Sequence, residues 1–530
     1  MTFHSANRFT PAVWLAIASS VVLLWFLWGS SHVERMALVA TLTLGLGAGV
    51  ISVGLGGWWA WAVYSRGCRG ITWGGLFFAL LLPIYWQLSA WDSLFGRLGW
   101  WTAFGSTPLQ MALPNWLAAI WVHGVAGVAP AAVIVLLFLI TSGRVAEEQA
   151  LVDASPTSVF WSVSLPRLWP AFCLAFGWSL LTTSREIAVT DIYRIGTVAE
   201  QVYLGFALGQ FDQLLALWPE GEQALSLRLY IVSVLGLASV AGLVVAGIHR
   251  WQWSGEHWDG WRRASNQRGS GWVSGAIFGL VLVVPLASLI FRCGLRVRAV
   301  EGEPQAEWTG RDLLASLARG WGASQAEFAW SLAIGICAAS LLLVLAIAAV
   351  GLARRGGWGA CAFFGSVAVT LGMPGPICGA IVARTWNLME FPWAWWLADR
   401  TILLPVLASA LFCWPLAGLL VFLVLRMTSP ELEEAAAVQG AMPRETFGSI
   451  LIGANWQRLA GVWLLLVVIV LGDLSAQQMV VAPGIDTLPR QLLGWLHAGV
   501  DELAAATSLL VAGLFGLLGI GLGRIWFRQK

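Results

Sequence analysis

Residues 433–450 read EEAAAVQGAMPRETFGSI, a polar stretch between two long apolar segments. Ser429 and Pro430 precede it and carboxylates follow, which is the pattern of a helix start. Gly440 can adopt a positive φ and end that helix, and Pro443 suits the first turn of a second short helix. The stretch therefore predicts a rigid helix–turn–helix element in the aqueous phase.

The composition places the rest of the chain in a membrane. Hydrophobic residues make up 58 % of it, charged residues 11 %, and the mean hydropathy is +0.76. Apolar runs of this length must be helical, because a bilayer offers the backbone no water to bond. We expect an all-α polytopic membrane protein of about twelve transmembrane helices. The predicted spans are 11–29, 36–62, 71–91, 116–141, 168–184, 229–249, 272–291, 329–352, 358–383, 401–426, 458–475 and 504–526.

A second polar stretch, EEQALVDASPTSVFWSVSLP at 147–166, follows the fourth span of the first half. An ungapped offset of 287 residues sets Glu147 on Glu434 and persists through the next span. A register of this length predicts two tandem six-helix units in one orientation, 1–249 and 271–530, joined by a polar linker at 250–270. The first stretch restarts its helix at Ser155, and it carries Asp153 where the second has Gly440. Because Asp visits the left-handed region tolerably, we expect a positive φ there too.

The segment EAAAVQGAMPRETF resembles the cytoplasmic signature of ABC-importer permeases, which is E-A-A, three residues and then G-A, with an aromatic residue farther on. The resemblance implies a type I importer fold and places both polar elements in the cytosol as coupling helices. It implies three kinds of partner, namely the lipid bilayer, an ABC ATPase subunit in two copies and a periplasmic substrate-binding protein. The coupling residues that it implies are Glu147, Asp153, Ala154, Ser155, Pro156 and Phe160, with Glu434, Ala435, Ala436, Gly440, Ala441, Pro443 and Phe447.

The double-length form and the stretch LSAQQMVVAPGIDTLPRQLLGWLHAG at 474–499 resemble the permeases of ferric-iron importers. Ferric iron is therefore the expected cargo. Fused permeases for thiamine and phosphonates share much of this pattern, so both remain alternatives. An ion-coupled secondary transporter is a further alternative, although it would have no use for two rigid cytoplasmic elements.

Several chemistries are excluded or disfavoured. The only lysine is Lys530, so the chain lacks the P-loop lysine, is not itself an ATPase enzyme, and leaves ATP to a partner subunit. We expect no cofactor on this chain. The 7 Cys form no CxxC pair and predict no metal site, and a net charge of +2 suggests no nucleic-acid partner.

Glu186 and Asp473, each at the end of its half's fifth span, are the candidates for a translocation pathway, because a carboxylate at membrane depth usually faces a cavity or a partner. The alternative places both at the outer interface, with Glu186 paired to Arg185. A modest excess of Arg and Lys in the loops on one side predicts that both termini are cytoplasmic in the cell inner membrane. His497 stands alone and is expected to be hydrogen-bonded or solvated. Residues 293–327 are expected to form an outer loop.

Overall fold

The structure is a computed structural model that describes most of the chain on either side of residues 210–270. The described residues are 31–66, 70–96, 99–100, 113–141, 145–209, 271–300, 303–354, 356–389, 391–426, 428, 430–442 and 445–527. The predicted spans 11–29 and 229–249 and the predicted linker 250–270 lie outside them.

Helices dominate the first half because its long apolar runs satisfy their own backbone hydrogen bonds. A π-helix at Phe160–Ser164 joins the seventh helix to the eighth. The α-helices are α1 (His32–Arg66), α2 (Gly70–Leu81), α3 (Ile84–Phe95), α4 (Asn115–Ala126), α5 (Val128–Thr141), α6 (Val145–Asp153), α7 (Pro156–Val159), α8 (Leu165–Arg185), α9 (Ala188–Ile192) and α10 (Val198–Ala207).

The second half has further π-helices at Gly279–Val283 and Thr446–Ile452 and a short 3₁₀ turn at Gln477–Met479. Its other elements are α11 (Gly271–Phe278), α12 (Val284–Gly294), β1 (Leu295–Val300), β2 (Glu303–Trp308), α13 (Gly310–Ala353), α14 (Gly357–Leu371), α15 (Gly375–Asn387), α16 (Pro392–Arg400), α17 (Leu403–Arg426), α18 (Pro430–Val438), α19 (Gly453–Leu471), α20 (Leu488–Ala498) and α21 (Asp501–Phe527).

Three predicted spans are bent. α2 meets α3 at 97°, α14 meets α15 at 110°, and α4 meets α5 at 40°. The two sharp bends fall at Pro83 and Pro374, which precede α3 and α15. A proline lacks the N–H that would continue a helix, and it drives the preceding residue out of the helical region. The predicted spans 71–91, 358–383 and 116–141 are therefore bent pairs rather than straight helices.

Six helices in the described residues are long and apolar enough to cross a membrane, and the count rises to nine when each bent pair is one span. α8 covers the predicted span 168–184 but is not among the nine. The all-α polytopic class is confirmed. The number twelve stays a prediction, as do the domain boundaries.

The two halves pack alike. α1 lies against α5 and α8, and α13 lies in the same way against α17 and α19. Small residues permit the close approach in the first half, because a Cβ at Gly45 or Gly49 of α1 would collide with Leu180 or Phe176 of α8. One buried apolar core runs through both halves where α3 packs against α12 and α21.

The expected loop at 293–327 is largely regular structure. β1 and β2 form an antiparallel hairpin, and α13 then begins at Gly310, well before the predicted span. The side chain of Thr309 accepts a hydrogen bond from the backbone N–H of Asp312 at 3.0 Å, which caps α13. The span prediction began later because it followed only the apolar part of this helix.

Candidate functional site

Two elements precede α8 and α19 at matching positions, and we call them levers. The first lever is residues 145–164, and the second lever is residues 430–452. Each consists of a short helix, a turn and a π-helix that leads into a long helix. They contain the predicted coupling residues.

The second lever turns as its sequence predicts. α18 begins at Pro430, and Gly440 has a φ of +84° just beyond the end of this helix. The backbone N–H of Ala441 donates to the carbonyl of Ala436 at 3.0 Å, which closes the last helical turn. A Cβ at Gly440 would meet no atom of the described residues within 4 Å, so the positive φ is the observed reason for a glycine here.

The return segment of the second lever packs against α13. Glu445 accepts a hydrogen bond from the N–H of Met442 at 3.0 Å as the chain enters the π-helix. The ring of Phe447 is half-buried and faces Gly351, where an added Cβ would lie 2.9 Å from its Cζ. The predicted aromatic residue therefore fastens this lever to the helix behind it.

An ion pair that the sequence analysis missed also holds the second lever. An Nη atom of Arg354, at the end of α13, donates to both carboxylate oxygens of Glu433 at 2.6 and 2.7 Å. Both side chains are about one-third exposed, at 32 % and 29 %. They border a cavity of about 340 Å³ whose other lining residues are Leu425, Arg426, Thr428 and Glu434. The sequence contains both partners, since Arg354 follows the apolar segment of α13 and an acidic cluster follows the apolar segment of α17.

The first lever ends its helix differently. α6 runs to Asp153, and the N–H of Ala154 still donates to the carbonyl of Ala150 at 3.0 Å. Among the described residues other than glycine, Arg194 alone has a positive φ. The left-handed conformation expected for Asp153 is therefore wrong.

Proline explains how the first lever turns. Ser155 precedes Pro156, and the residue before a proline is driven out of the helical region. The hydroxyl of Ser155 then accepts a hydrogen bond from the N–H of Ser158 at 3.3 Å, so the predicted helix restart is present. The side chains of Glu147, Pro156 and Phe160 and the whole of Pro443 lie outside the described part of the chain.

Both levers expose aliphatic side chains beside polar ones. Leu151 and Val152 are 42 % and 81 % exposed on the first lever, and Val438 and Met442 are 89 % and 67 % exposed on the second. Leu151 and Val438 are related by the same offset of 287 residues. Exposed apolar groups at matching positions form a surface suited to a protein partner. Glu434 and Ala435 are exposed on the same lever.

The levers lie away from the point where α8 and α19 meet. α8 and α19 have 21 and 19 residues, about 30 Å at 1.5 Å per residue, which matches the thickness of a bilayer core. Their C-terminal ends meet, because the N–H of Ile187 donates to the hydroxyl of Ser475 at 3.2 Å. Since a lever precedes each helix, each lever lies at the end of its own helix that is opposite to this contact.

Glu186 lies at this meeting point and bonds across the halves. One of its oxygens accepts from the hydroxyl of Ser475 at 3.0 Å, and the other accepts from the N–H of Ala188 at 2.9 Å. Its neighbour Arg185 is not its partner. The guanidinium of Arg185 donates to the backbone carbonyls of Met373 and Phe412 at 2.9 and 2.7 Å.

Asp473, the counterpart of Glu186, is buried within the second half. Its carboxylate accepts from the hydroxyl of Ser409 at 2.8 Å and from the N–H of Ala476 at 3.1 Å. Gln477 donates in turn to Ser409 at 3.0 Å. These bonds give Asp473 a structural role where its chain leaves α19, and its place in a pathway stays a prediction.

A second cavity, of about 530 Å³, lies just beyond this meeting point, and we call it the outer cavity. Its wall combines residues of the first half with residues of the second, namely Asp191, Tyr203, Gln478, Asp486, Arg490, Gln491, Leu493, Gly494, Trp495 and His497. His497 is 2.8 Å from Asp191 through its Nε2 atom, so a pair of opposite polarity joins the halves here. His497 was expected to be hydrogen-bonded or solvated, and its partner could not be identified from sequence because Asp191 lies 306 positions away.

A buried carboxyl stands behind one wall of the outer cavity. Glu200 is 6 % exposed, and its Oε2 atom has no hydrogen-bond partner. It lies on α10, one turn before Tyr203, and α10 is not among the candidate spans. Burial, together with the carboxylates of Asp191 and Glu186, raises the pKa of Glu200 to about 8.

The described residues contain no group of three His, Cys, Asp or Glu side chains that could hold a metal ion. The fold and its site thus define a polytopic membrane protein with a lever before each of α8 and α19 and a polar cavity beyond the ends where these helices meet.

Comparison with known proteins identifies its family. The chain is 31 % identical over 191 residues to the putrescine transport system permease protein PotI of Escherichia coli strain K12, and equally to that of strain O6:H1 (CFT073). The match covers 36 % of this chain and 68 % of each relative. No family model matches. The chain belongs to the family of ABC-transporter inner-membrane permeases. It is a transport subunit, and a partner carries out ATP hydrolysis. These relatives give the ferric-iron expectation no support.

Proposed function

We propose that this chain is the permease subunit of an ATP-driven importer whose cargo is a small organic cation of the polyamine class. A periplasmic binding protein delivers the cargo to the outer cavity, and two copies of an ABC ATPase bind the levers in the cytosol. Both termini then lie on the cytoplasmic side of the inner membrane. The chain itself binds no cofactor, and ATP acts on its partner.

The levers carry the transport part of the proposal. They lie at one end of α8 and α19, and the other ends of these helices meet beside the outer cavity. A rigid element transmits displacement, whereas a flexible loop absorbs it. When ATP draws the two ATPase subunits together, the levers approach and α8 and α19 tilt. Their meeting ends then separate and change access to the cavity.

Two observations support a polyamine cargo, namely the name of the relatives and the residues that line the outer cavity. The relatives are putrescine permeases by name. The outer cavity offers carboxylates from both halves, Asp191 and Asp486, which suit a ligand that carries cationic groups at both ends. Ferric iron, thiamine and phosphonates have no comparable support from the described residues.

Uptake measurements test the cargo. The permease is expressed with its ATPase and binding protein in cells that lack their own polyamine import, and uptake of labelled putrescine is compared with uptake of labelled ferric iron. We expect putrescine to accumulate only when the ATPase is active. Iron accumulation without putrescine accumulation would restore the original expectation.

Cross-linking tests the levers. Cys68, which lies outside the described residues, and the exposed cysteines of the described part, Cys173, Cys337 and Cys361, are first replaced by serine. Leu151→Cys and Val438→Cys should then form cross-links to the ATPase subunit. Val344→Cys is the matched control, because Val344 is 66 % exposed but lies within the apolar part of α13. Cross-links from the control alone, or from none of the three, would contradict the assignment.

A further inference from the structure

The outer cavity has the size and the position of a ligand site. Its volume of about 530 Å³ lies within the range of small-molecule pockets. Both halves contribute to its wall, so a ligand there would contact the two bodies that the levers move. It also lies beyond the ends of α8 and α19, at the side where cargo enters an importer.

The wall has a surplus of hydrogen-bond acceptors. Asp191 and Asp486 supply carboxylates. The amide nitrogen of Gln491 donates to the carbonyl of Ala323 at 2.8 Å, while its Oε1 atom is buried without a partner. Gln478 likewise has a buried Oε1 atom without a partner among the described residues. Because both amide oxygens are buried, the carboxylates of Asp191 and Asp486 are the acceptors that an ammonium group, with three N–H donors and no acceptor, would meet in the cavity.

Aromatic side chains complete the wall. Tyr203 comes from α10 of the first half and Trp495 from α20 of the second. Aromatic faces pack against methylene groups and attract cations. This combination of carboxylates and aromatic rings suits an aliphatic amine better than a hydrated metal ion.

The charged neighbours identify the anchoring carboxylate. Asp486 has Arg490 at 3.8 Å, which partly offsets its charge, and both side chains are 46 % exposed. Asp191 is only 22 % exposed, and its partner is His497, which is a cation only when protonated. An ammonium group is a permanent cation at neutral pH and would displace the ring from Asp191.

We infer that the outer cavity binds one ammonium end of an aliphatic diamine, with Asp191 as the anchoring carboxylate. The inference rests on the proposed function. In the empty cavity His497 bonds to Asp191 and joins the halves, and the arriving ammonium group replaces that bond with its own. The cavity is thus the first station of the cargo on the permease, before it enters the membrane.

The test measures binding apart from transport. In the permease–ATPase complex without exposed native cysteines, Gly494→Cys places a thiol in the cavity wall, and putrescine is titrated against labelling by a charged thiol reagent. We expect putrescine to protect the thiol. Asp191→Asn keeps the side-chain shape and an oxygen for His497 but removes the charge, and should raise the half-protecting concentration at least about ten-fold. Asp399→Asn, at an exposed position on α16, is the matched control and should change it less than about two-fold.

Each outcome separates the two proposals. Putrescine uptake without protection, or with equal protection in Asp191→Asn and the control, would overturn the site and leave the importer intact. Absence of putrescine uptake would remove the proposed cargo, and the protection experiment would still decide whether the cavity binds a diamine. If Asp191→Asn fails to assemble, as judged by the basal ATPase activity of the complex, Asp486→Asn replaces it, with a smaller expected shift because Arg490 already offsets that carboxylate.

Discussion

The two levers occupy matching positions but are fastened differently. The second lever turns at a left-handed glycine, rests Phe447 on α13 and adds an ion pair through Glu433. The first lever turns at Ser155 before a proline and needs no positive φ. At the positions that match Arg354 and Glu433 the sequence of the first half has Gly67 and Ala146, so these two positions cannot form the same ion pair. The comparison indicates that the repeat preserves a lever while the turn within it is made by different residues.

Gly440→Ala should have the largest effect on this contrast. Its φ of +84° disfavours any residue with a Cβ by about 1–2 kcal/mol, and no neighbouring atom can compensate. The fraction of molecules whose second lever has the observed turn should fall about ten-fold. The affinity of the ATPase subunit for the permease should fall by the same factor. Gly448→Ala is the control, because a Cβ there also meets open space and its φ is not positive. Equal losses in both variants would show that the backbone angle is not the cause.

Gly351→Ala should have the next largest effect, because the new Cβ would lie 2.9 Å from the ring of Phe447. The contact is with the far end of a side chain, so the ring can move aside at a cost of about 1 kcal/mol. We expect uptake to fall about five-fold. A second change, Phe447→Leu, should restore part of the loss by making room. An additive loss in the double variant would refute direct contact as the cause.

Glu433→Gln should have a smaller effect that depends on salt. The Arg354–Glu433 pair is partly exposed, and such pairs contribute up to about 1 kcal/mol. Docking of the ATPase should weaken two- to three-fold at low salt and less at high salt, since ions screen exposed charges. A double-mutant cycle with Arg354→Gln isolates the pair. A coupling energy of zero would mean that the pair does not hold the lever.

Asp153→Gly should change least. Asp153 is helical, so glycine gains nothing from its conformational freedom and loses only a fraction of a kcal/mol of helix propensity, about 0.5 or less. Uptake should stay within about two-fold of the wild-type rate. A clear gain in coupling would instead indicate that the first lever can adopt the left-handed turn of the second.

Local signals were predictable from sequence, and contacts between distant residues were not. The stop at Gly440 and the restart at Ser155 depend on two or three neighbouring residues, and both are present. The prediction for Asp153 was wrong because it assumed that both repeats have the same backbone angle at this position. In the first repeat Pro156 breaks the helix instead, and no positive φ is needed. The repeat gave the right register but not the same turn.

The hydropathy of a segment does not show whether its helix is straight or bent, and this explains why some predicted spans differ from the observed helices. The apolar run continues through Pro83 and Pro374, so the predicted helices continued too, although the prolines signalled a break. The bond from Ile187 to Ser475 and the pair of Asp191 with His497 join residues 288 and 306 positions apart. No pattern along the chain indicates these contacts, although Asp191 and His497 both line the outer cavity.

The π-helices at Phe160–Ser164 and Thr446–Ile452 change which side chains of the following helices share one face. A π turn contains more residues than an α turn, so each extra residue rotates everything after it by about 100° relative to an unbroken helix. A helical wheel drawn from a lever into its long helix would therefore assign the wrong lipid-facing side. Both repeats have a π-helix at corresponding positions, so no gap is needed to align them. Aligning the two repeats with each other therefore cannot reveal the π-helices.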